Sequence, residues 1–358
     1  MTERAGAVTA RAGPAALLGL ALLACAHEAP FRPDPYGSGT PFGPGTLARL
    51  TLNRAPDRTP AWTPDGAGLW YSVARTDRRD RDHCLGRLPP GGGSRVETRC
   101  QTGLAAEDSN DVLEAPSAAA DGRLAYVHIA GRIGALTPFL SELVVAPPGG
   151  GAPVRRLGLP YAPPGRRGYD RASHIQWVGG DTLVFLANVW IFSQDVLAGT
   201  VDTTQSGMGV ERLGPGGTPE RVPLTDFASS VTSGDTAGVL YLTYVGDSRV
   251  VRLAGGDTAT VHDFGALGIA RDVQVRAGRL VAVVGGDVVA GYSVSLQMPL
   301  QFDEGGYLYL VDLATGTRVQ LPDTAFRYRR PALSPDGRRV VAEVMTPQGE
   351  DLWAIALP

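Results

Sequence analysis

The chain has 358 residues, of which 43% are hydrophobic, enough to build a core, and its 47 Gly and 28 Pro suit many tight turns. The formal net charge of −3 gives no reason to expect nucleic-acid binding. Every basic residue is Arg. The absence of Lys excludes a Walker-type phosphate loop and Schiff-base chemistry, because both need a lysine amine.

The first segment of the chain is typical of a bacterial export signal. Residues 1–24 combine Arg4 and Arg11 with an apolar run over 15–24. That run is too short to cross a membrane of about 30 Å as a helix, and it fits the apolar region of a signal peptide. It ends in the string LLAC, which resembles the bacterial lipobox, so Cys25 is the predicted lipidation site. An ordinary secretory signal with an incidental cysteine is the alternative.

Residues 25–45 predict a tether between this anchor and the folded part. They are rich in Pro and Gly without periodicity, and could extend to about 40–60 Å. No later apolar run approaches the length of a membrane-spanning helix. We expect a monomer held in the cell envelope by its N-terminal lipid, on the outer membrane at its periplasmic or surface side.

The rest of the chain, 46–358, is built from a repeat. The clearest copies, 58–75 and 329–358, share a Pro, a Ser/Thr-Pro-Asp-Gly turn and an alternating apolar strand. Asp-Gly supplies the positive φ angles of a tight hairpin, so each copy predicts a strand, a turn and a strand. Four degenerate copies lie between them: 116–130, 175–189, 229–245 and 272–286.

Each of the first five copies is followed by a third strand, a Gly-rich turn and a fourth strand, which is the pattern of a β-propeller. The internal fourth strands are 95–100, 153–157, 220–224, 258–264 and 317–321. Six hairpins and five fourth strands leave one strand missing, and 46–51 has the required pattern. We therefore predict an all-β fold, a six-bladed β-propeller with four-stranded antiparallel blades, closed by 46–51 pairing with the C-terminal blade.

Two of these copies carry insertions, 188–206 and 287–305, between their second and third strands. The second insertion alternates well enough to predict an extended hairpin. Functional loops are often such insertions on a rigid scaffold.

Two strings identify a family resemblance. RLTLNRAPDRTPAWTPDG (49–66) and EDSNDVLEAPSAAADG (107–122) resemble the repeats of the TolB-type propeller. The resemblance implies a TolB-like propeller over about 46–358. TolB carries an additional N-terminal α/β domain, and here only the tether precedes the propeller, so a role in the Tol–Pal system is not carried over. Peptidases with related propellers need an α/β-hydrolase domain and a G-x-S-x-G elbow, which this sequence lacks.

Two cysteines flank a turn in the first blade. With the turn centred near Gly92, Cys84 lies opposite Cys100 on the neighbouring strand. In an oxidising compartment this arrangement favours a disulfide. Two unpaired thiols are the alternative.

An acidic cluster precedes the first strand of blade two and is the candidate partner-binding loop: Glu107, Asp108, Asn110 and Asp111. These side chains could bind a basic group of a partner. Asn and Asp are also simple turn formers, which is the alternative interpretation.

The remaining polar groups are interpreted as structural. Asp77, Asp80, Asp82 and His83 alternate with Arg and predict a solvated charged loop rather than a metal site. The strand histidines show no spacing of metal ligands or of a triad, and they are His128, His174 and His262. A basic loop between blades two and three holds Arg166, Arg167 and Arg171.

No catalytic motif is visible, so the sequence predicts that the chain is not an enzyme and needs no cofactor or metal. The leading hypothesis is a binding or scaffold propeller for an envelope protein, a peptide or a glycan. One alternative is a propeller hydrolase or lyase with a metal in its central channel. Another is a sensor that binds a sugar or peptide there.

Overall fold

The structure is a computed structural model that describes residues 45–51, 56–74, 82–100, 109–132, 140–149, 151–159, 167–195, 200–286, 288–293, 298–303, 305–321, 326–346 and 349–358. This part of the chain is almost entirely β-strand, with one 3₁₀ turn at Gly265–Leu267. None of the described helices is long and apolar enough to cross a membrane. The anchor Cys25 and the predicted tether lie outside the described residues.

The strands of the first half of the chain are β1 (Leu47–Arg49), β2 (Asp57–Trp62), β3 (Leu69–Ala74), β4 (Asp82–Leu88), β5 (Glu97–Arg99), β6 (Ser109–Ala118), β7 (Leu124–Arg132), β8 (Leu140–Ala146), β9 (Val154–Leu159), β10 (Arg167–Trp177), β11 (Leu183–Asp195), β12 (Thr200–Leu213) and β13 (Pro219–Arg221). Those of the second half are β14 (Ala228–Ser233), β15 (Leu240–Tyr244), β16 (Arg249–Ala254), β17 (Asp257–Asp263), β18 (Ala270–Arg276), β19 (Arg279–Val284), β20 (Val288–Ser293), β21 (Met298–Asp303), β22 (Tyr307–Asp312), β23 (Arg318–Gln320), β24 (Arg327–Leu333), β25 (Arg339–Thr346) and β26 (Gly349–Ala356).

The described strands form a β-propeller-like arrangement of antiparallel four-stranded sheets. Four sheets are separate: β10 to β13, β14 to β17, β18-β19-β22-β23, and β1-β26-β25-β24. The other two groups, β2 to β5 and β6 to β9, are joined into one eight-stranded sheet. The prediction of six separate blades is therefore wrong for the first two groups, which share one sheet. The reason is a parallel pairing of β4 with β6, through Asp82 with Asp111 and His83 with Val112.

Strand β1 lies at the edge of the sheet built from the last three strands of the chain. Leu47 pairs with Ile355 and Arg49 pairs with Trp353, antiparallel. The segment 46–51 thus takes the position beside the C-terminal strand that the strand count requires. The first residues of β1 lie beside the end of β26, because Gly45 donates its N–H to the carbonyl of Ala356. The end of β26 lies beside the Asp-Gly turn between β24 and β25, because Leu357 donates its N–H to the carbonyl of Arg338 just after that turn.

Hydrophobic clusters fill the spaces between neighbouring four-stranded groups. Within the described residues there are six such clusters, each drawing side chains from two groups. One of them packs Leu69 and Tyr71 of β3 against Val341 of β25 and Leu352 of β26. The beginning and the end of the chain therefore share a core.

A β-bulge interrupts the innermost strand of every four-stranded group. The register shifts in β2, β6, β10, β14, β18 and β24. In five of these strands the bulge contains a residue with a left-handed backbone, with φ between 44° and 51°: Thr59, Ala115, His174, Asp272 and Arg330. A bulge breaks the alternation of side chains and re-aims one of them.

A tryptophan ties neighbouring groups together at two places. Trp62 donates its indole N–H to the carbonyl of Ala332 at 3.0 Å, and Arg339 covers its ring at 4.9 Å. The same arrangement recurs with Trp177 and Arg123. In each case the arginine and the carbonyl come from the preceding group in the propeller, which satisfies the buried indole N–H across the join.

The two insertions are extended hairpins. Strands β11 and β12 stay paired as far as Asp195 with Thr200. Strands β20 and β21 form their own two-stranded sheet, with Val288 opposite Asp303. The hairpin predicted for 287–305 is confirmed.

The first group contains the Cys84–Cys100 disulfide. The register of β4 and β5 pairs Leu85 with Arg99 and Arg87 with Glu97, so the two cysteines are the next positions out. This is the pairing that the turn near Gly92 predicts.

Mass mapping without reduction is expected to recover a peptide that joins Cys84 to Cys100. Replacing both cysteines by Ala should lower the free energy of unfolding by up to about 3 kcal/mol, since the bond closes a loop of about 15 residues. Denaturation of the double variant and of reduced wild type measures this cost. Complete alkylation of both thiols in unreduced protein would contradict the disulfide.

Candidate functional site

One cavity opens between the innermost strands of five of the six strand groups. We call it the inner-strand cavity; its volume is about 570 Å³, within the range of small-molecule sites. Its wall comes from β2, β6, β10, β18 and β24, and its rim comes from the turns that follow β2, β6, β10 and β24. The polar side chains in this wall are Thr59, Ser117, Ser173, His174, Gln176, Asp272, Gln274, Arg276 and Arg330.

His174 and Asp272 form a hydrogen-bonded pair in the wall of this cavity. Nε2 of His174 lies 3.0 Å from Oδ1 of Asp272, and the backbone N–H of Arg330 donates to Oδ2 at 3.0 Å. Burial alone would raise the pKa of the Asp272 carboxyl. The hydrogen bond and charge of His174, with the Arg330 N–H, outweigh burial and hold this pKa well below its usual range. Asp272 is therefore ionised and accepts from both neighbours.

Ser173 extends this pair to a chain of three groups. Its hydroxyl lies 3.0 Å from Nδ1 of His174, the ring nitrogen that does not face Asp272. Neighbouring side chains on a strand normally point to opposite faces. The bulge between Ser173 and Gln176 removes that alternation, so Ser173 and His174 both reach the cavity.

Arg330 of β24 carries positive charge into the cavity. Its Nη1 donates to both oxygens of Glu343, at 3.0 and 3.2 Å, while its side chain stays 39% exposed. The Glu343 carboxylate raises the pKa of the Arg330 guanidinium, against the effect of burial. Arg330 is therefore charged and partly open to a ligand.

Glu343 lies behind the cavity and is fully buried. It also accepts the backbone N–H of Thr59 at 2.6 Å, and Nη2 of Arg329 lies 3.4 Å from its other oxygen. Thr59 belongs to β2 and Arg329 to β24, so this carboxylate joins the first and last parts of the chain. A buried charge needs such partners, because an unpaired one is costly.

Arg276 adds a second cation to the wall. Its Nη1 donates to the backbone carbonyls of Ser233 and Val275, at 2.5 and 2.7 Å. Burial lowers the pKa of its guanidinium, and the charge of Asp235 opposes that effect. Among the described residues, no carboxylate pairs with it directly. Because Glu343 pairs with Arg330 from behind, the cationic groups that the wall presents are the partly exposed Arg330 guanidinium and Arg276.

The described residues contain no group of three or more His, Cys, Asp or Glu side chains that could hold a metal ion. The cavity lining offers two carboxylates and one imidazole: Asp121 on the rim pairs with Arg123, and Asp272 binds His174. This donor set does not fit the calcium or manganese sites that use several oxygen ligands.

The predicted acidic loop is only partly described. Glu107 and Asp108 lie outside the described residues, and Asn110 lies in β6. Asp111 is buried, and its Oδ1 lies 2.9 Å from Nε2 of His128. Its carboxylate therefore faces the core of the joined sheet.

The interpretation of Asp82 and His83 as a solvated loop is wrong, since both are buried in β4. Asp82 accepts the backbone N–H of Asp111 at 2.9 Å, and His83 contacts the hydroxyl of Ser72 at 3.2 Å. Pairing with β6, distant in sequence, buries them. Asp77 and Asp80 lie outside the described residues.

The predicted basic loop is also partly wrong, because β10 begins at Arg167 and includes Arg171. Arg166 lies outside the described residues. Of the three strand histidines interpreted as structural, His128 contacts the carboxylates of Asp111 and Glu142, whereas His174 lines the cavity. His262 packs edge-on against Phe264, with ring centroids 4.7 Å apart.

Sequence reasoning missed the residues that gather around the cavity. Five of them share one position, four residues before the start of an Asp-Gly-like turn: Thr59, Ala115, His174, Asp272 and Arg330. Ser229 has the same position in β14, outside the cavity lining. Counting back from the turns would have aligned them. The bulge that turns five of them inward has no signature in the alternation of the strands.

His128 should make stability depend on pH. Burial lowers its pKa, but the hydrogen bond with Asp111 and the charges of Asp111 and Glu142 outweigh burial, so this pKa is raised. The stabilisation is complete below the unfolded pKa of about 6.5 and is lost as pH rises through the folded pKa. The destabilisation caused by His128→Gln, measured by urea denaturation, should therefore be larger at about pH 5.5 than at about pH 8.5.

His262 supplies a control of opposite sign. Burial and the charge of Arg318 lower the pKa of His262, so its stabilisation is present above about pH 6.5 and lost as pH falls. His262→Gln should cost more at the higher pH. Equal costs at both pH values for the two variants would contradict these assignments.

The fold is that of a β-propeller similar to TolB. The structure matches TolB from Acinetobacter baumannii with a TM-score of 0.52 at 12% identity, over 81% of this chain and 64% of that one. The chain thus spans less than two thirds of that TolB. It also matches a calcium-binding regucalcin of Agrobacterium tumefaciens (TM-score 0.52, 14% identity, 90% and 96% covered). No family model and no curated protein matches the sequence.

A gluconolactonase of Xanthomonas campestris matches equally well, with a TM-score of 0.52 at 16% identity over 87% of this chain and 89% of that one. The prediction that the chain is not an enzyme is therefore wrong. It was inferred from missing motifs, and the same fold carries an enzyme. At these identities the likeness concerns the fold alone.

Proposed function

We propose that the domain is a six-bladed propeller closed into a ring. The joined sheet then counts as two blades, because β4 and β6 pair through only two residue pairs. The six inter-group clusters support this count, since a closed ring of six blades has six interfaces. Closure would protect the sheet edges that otherwise invite aggregation.

We further propose that this propeller binds a small ligand with a carboxylate, such as a sugar acid or a peptide C-terminus, in the inner-strand cavity. The observation that carries the proposal is the partly exposed Arg330 guanidinium beside a 570 Å³ cavity. An arginine fork suits a carboxylate, and Arg276 adds attraction. Gln176 and Gln274 offer neutral donors and acceptors for hydroxyl or amide groups.

Calorimetry with two matched pairs tests this proposal: gluconate against gluconamide, and N-acetyl-dialanine against its amide. At least one acid should bind about tenfold or more tightly than its amide, and Arg330→Met should remove that difference. Arg330→Lys keeps a charge and controls for the fold, while Arg318→Met removes a charge outside the cavity. If no acid binds, or if amides bind equally well, the carboxylate assignment fails.

We also propose that the chain works as a lipid-anchored envelope protein and a monomer, with an envelope protein as a second class of partner. This rests on the sequence LLAC at 22–25 and on the apolar run before it. Cys25→Ser should abolish lipid incorporation and leave the export signal unprocessed at the lipoprotein step. Radiolabelled palmitate and detergent partitioning measure both effects. A Cys25→Ser variant that still partitions like wild type would refute the anchor.

A further inference from the structure

Three side chains in the cavity wall form a hydrogen-bonded chain that ends in a hydroxyl. Asp272 contacts Nε2 of His174 at 3.0 Å, and Nδ1 of His174 contacts the Ser173 hydroxyl at 3.0 Å. All three line the inner-strand cavity. This is the order of groups that activates a serine nucleophile, which is recognised by geometry rather than by sequence position.

The proton positions follow from the contacts. Asp272 already accepts the N–H of Arg330 and stays ionised, so it can only accept from His174. In its neutral form the imidazole then carries its proton on Nε2 and leaves Nδ1 as an acceptor. The Ser173 hydroxyl then donates to Nδ1, which is the arrangement a general base needs to take its proton.

We propose that Ser173 is a nucleophile for acyl transfer, with His174 as its general base and Asp272 as the residue that positions the imidazole. The substrate class is a small carboxylic ester that also carries a free carboxylate. This part of the proposal rests on the binding function above, because Arg330 would hold the carboxylate that does not react.

The reaction balances without a cofactor. The Ser173 oxygen bonds to the ester carbonyl carbon while its proton moves to Nδ1 of His174, and Asp272 stabilises the imidazolium. The bond from the acyl carbon to the alcohol oxygen then breaks, and the alcohol leaves with the proton from Nδ1. Water attacks the acyl-serine with the same base, which releases the acid and restores the serine.

The left-handed conformation of His174 and Asp272 belongs to the propeller repeat, because Thr59, Ala115 and Arg330 share it. What distinguishes the group of β10 to β13 is the chemistry of the side chains at that position and at the residue before it. In the innermost strand of this group, the imidazole of His174 contacts the hydroxyl of the neighbouring Ser173, and both residues line the cavity.

A fluorophosphonate probe tests the nucleophile in the purified full-length protein. Mass mapping should find the probe on Ser173, and Ser173→Ala should remove the label. Ser248→Ala, a serine outside the cavity whose hydroxyl donates to Asp263, is the control and should keep the label. His174→Asn should slow labelling by about 10²-fold or more, the typical contribution of a general base.

Hydrolysis of 4-nitrophenyl succinate monoester supplies the kinetic readout. Ser173→Ala should lower kcat by about 10³-fold or more. Asp272→Asn should lower kcat with little change in KM, since Asp272 acts through His174 and does not touch the ester. Melting midpoints of the variants show that they are folded.

The two proposals fail separately. Absence of label on wild-type Ser173, or labelling and hydrolysis that survive Ser173→Ala, overturns the nucleophile even where gluconate or the peptide acid binds. Label on Ser173 without any binding of carboxylates overturns the ligand class and retains the nucleophile. Binding that survives Ser173→Ala with loss of label supports both.

Discussion

Deleting residues 26–51 is expected to lower the free energy of unfolding by several kcal/mol or to cause aggregation, whereas deleting 26–45 should cost little. The longer deletion removes β1 and exposes the edge of β26. It also removes Leu50, which is buried in the cluster shared by the two ends of the chain. The shorter deletion removes a segment without apolar periodicity.

Two polar contacts add to this loss. Arg49 donates to Asp351 at 2.5 Å, and Asp351 is almost fully buried. The N–H of Leu352 donates to the hydroxyl of Thr51 at 3.0 Å. Without β1, a buried carboxylate and a buried backbone N–H lose these partners, which is costly in a low-dielectric core.

Melting midpoints of the two truncations, with wild type lacking its signal segment as reference, measure the difference. The 26–45 deletion is the matched control, since it shortens the same end of the chain. Equal midpoints for both truncations and the reference would show that β1 does not hold the first and last groups together.

Glu343→Ala is expected to destabilise the domain by about 3–5 kcal/mol, the usual cost of removing one partner from a buried ion pair. The variant leaves Arg329 and Arg330 without this carboxylate and the N–H of Thr59 without this acceptor. Thr59 lies near the beginning of the described chain, and Arg329 and Arg330 lie near its end. The packing between the first and the last strand groups should therefore weaken first.

Two further variants separate charge from shape. Glu343→Gln keeps the size and one acceptor oxygen, and its cost should be smaller than that of Glu343→Ala. Glu220→Ala removes an exposed carboxylate of β13 and should change stability by less than about 0.5 kcal/mol. Urea denaturation compares the three variants. A cost below about 1 kcal/mol for Glu343→Ala would contradict the role assigned to it.

The repeat could be predicted from the sequence because its signals are local. The Asp-Gly turns at Asp65 and Asp336 fix where two strands meet, and alternation fixes which side chains are buried. The pairing of Cys84 with Cys100 followed from the same counting. The position of 46–51 followed from a missing strand.

The cavity could not be predicted in the same way. His174 and Ser173 share a face only because a bulge breaks the period-two pattern on which strand predictions depend. Asp82 and His83 were misread because their burial depends on β6, a partner distant in sequence. The contact of Asp272 with His174 joins two strands 98 residues apart, and no local signal reports it.

The face of the domain on which the chain enters β1 decides how a lipid-anchored protein would orient its cavity relative to the membrane. Gly45 donates its N–H to the carbonyl of Ala356, beside the turn that contains Pro335, and Pro335 lies on the cavity rim. Gly45 therefore lies on the face of the domain that carries the mouth of the cavity, at the outer edge of the last strand group. A lipid-held protein would turn this mouth toward the bilayer, and the spacer length would set the gap through which a ligand enters. Lengthening the spacer should then speed the capture of bulky ligands and leave that of small ones unchanged.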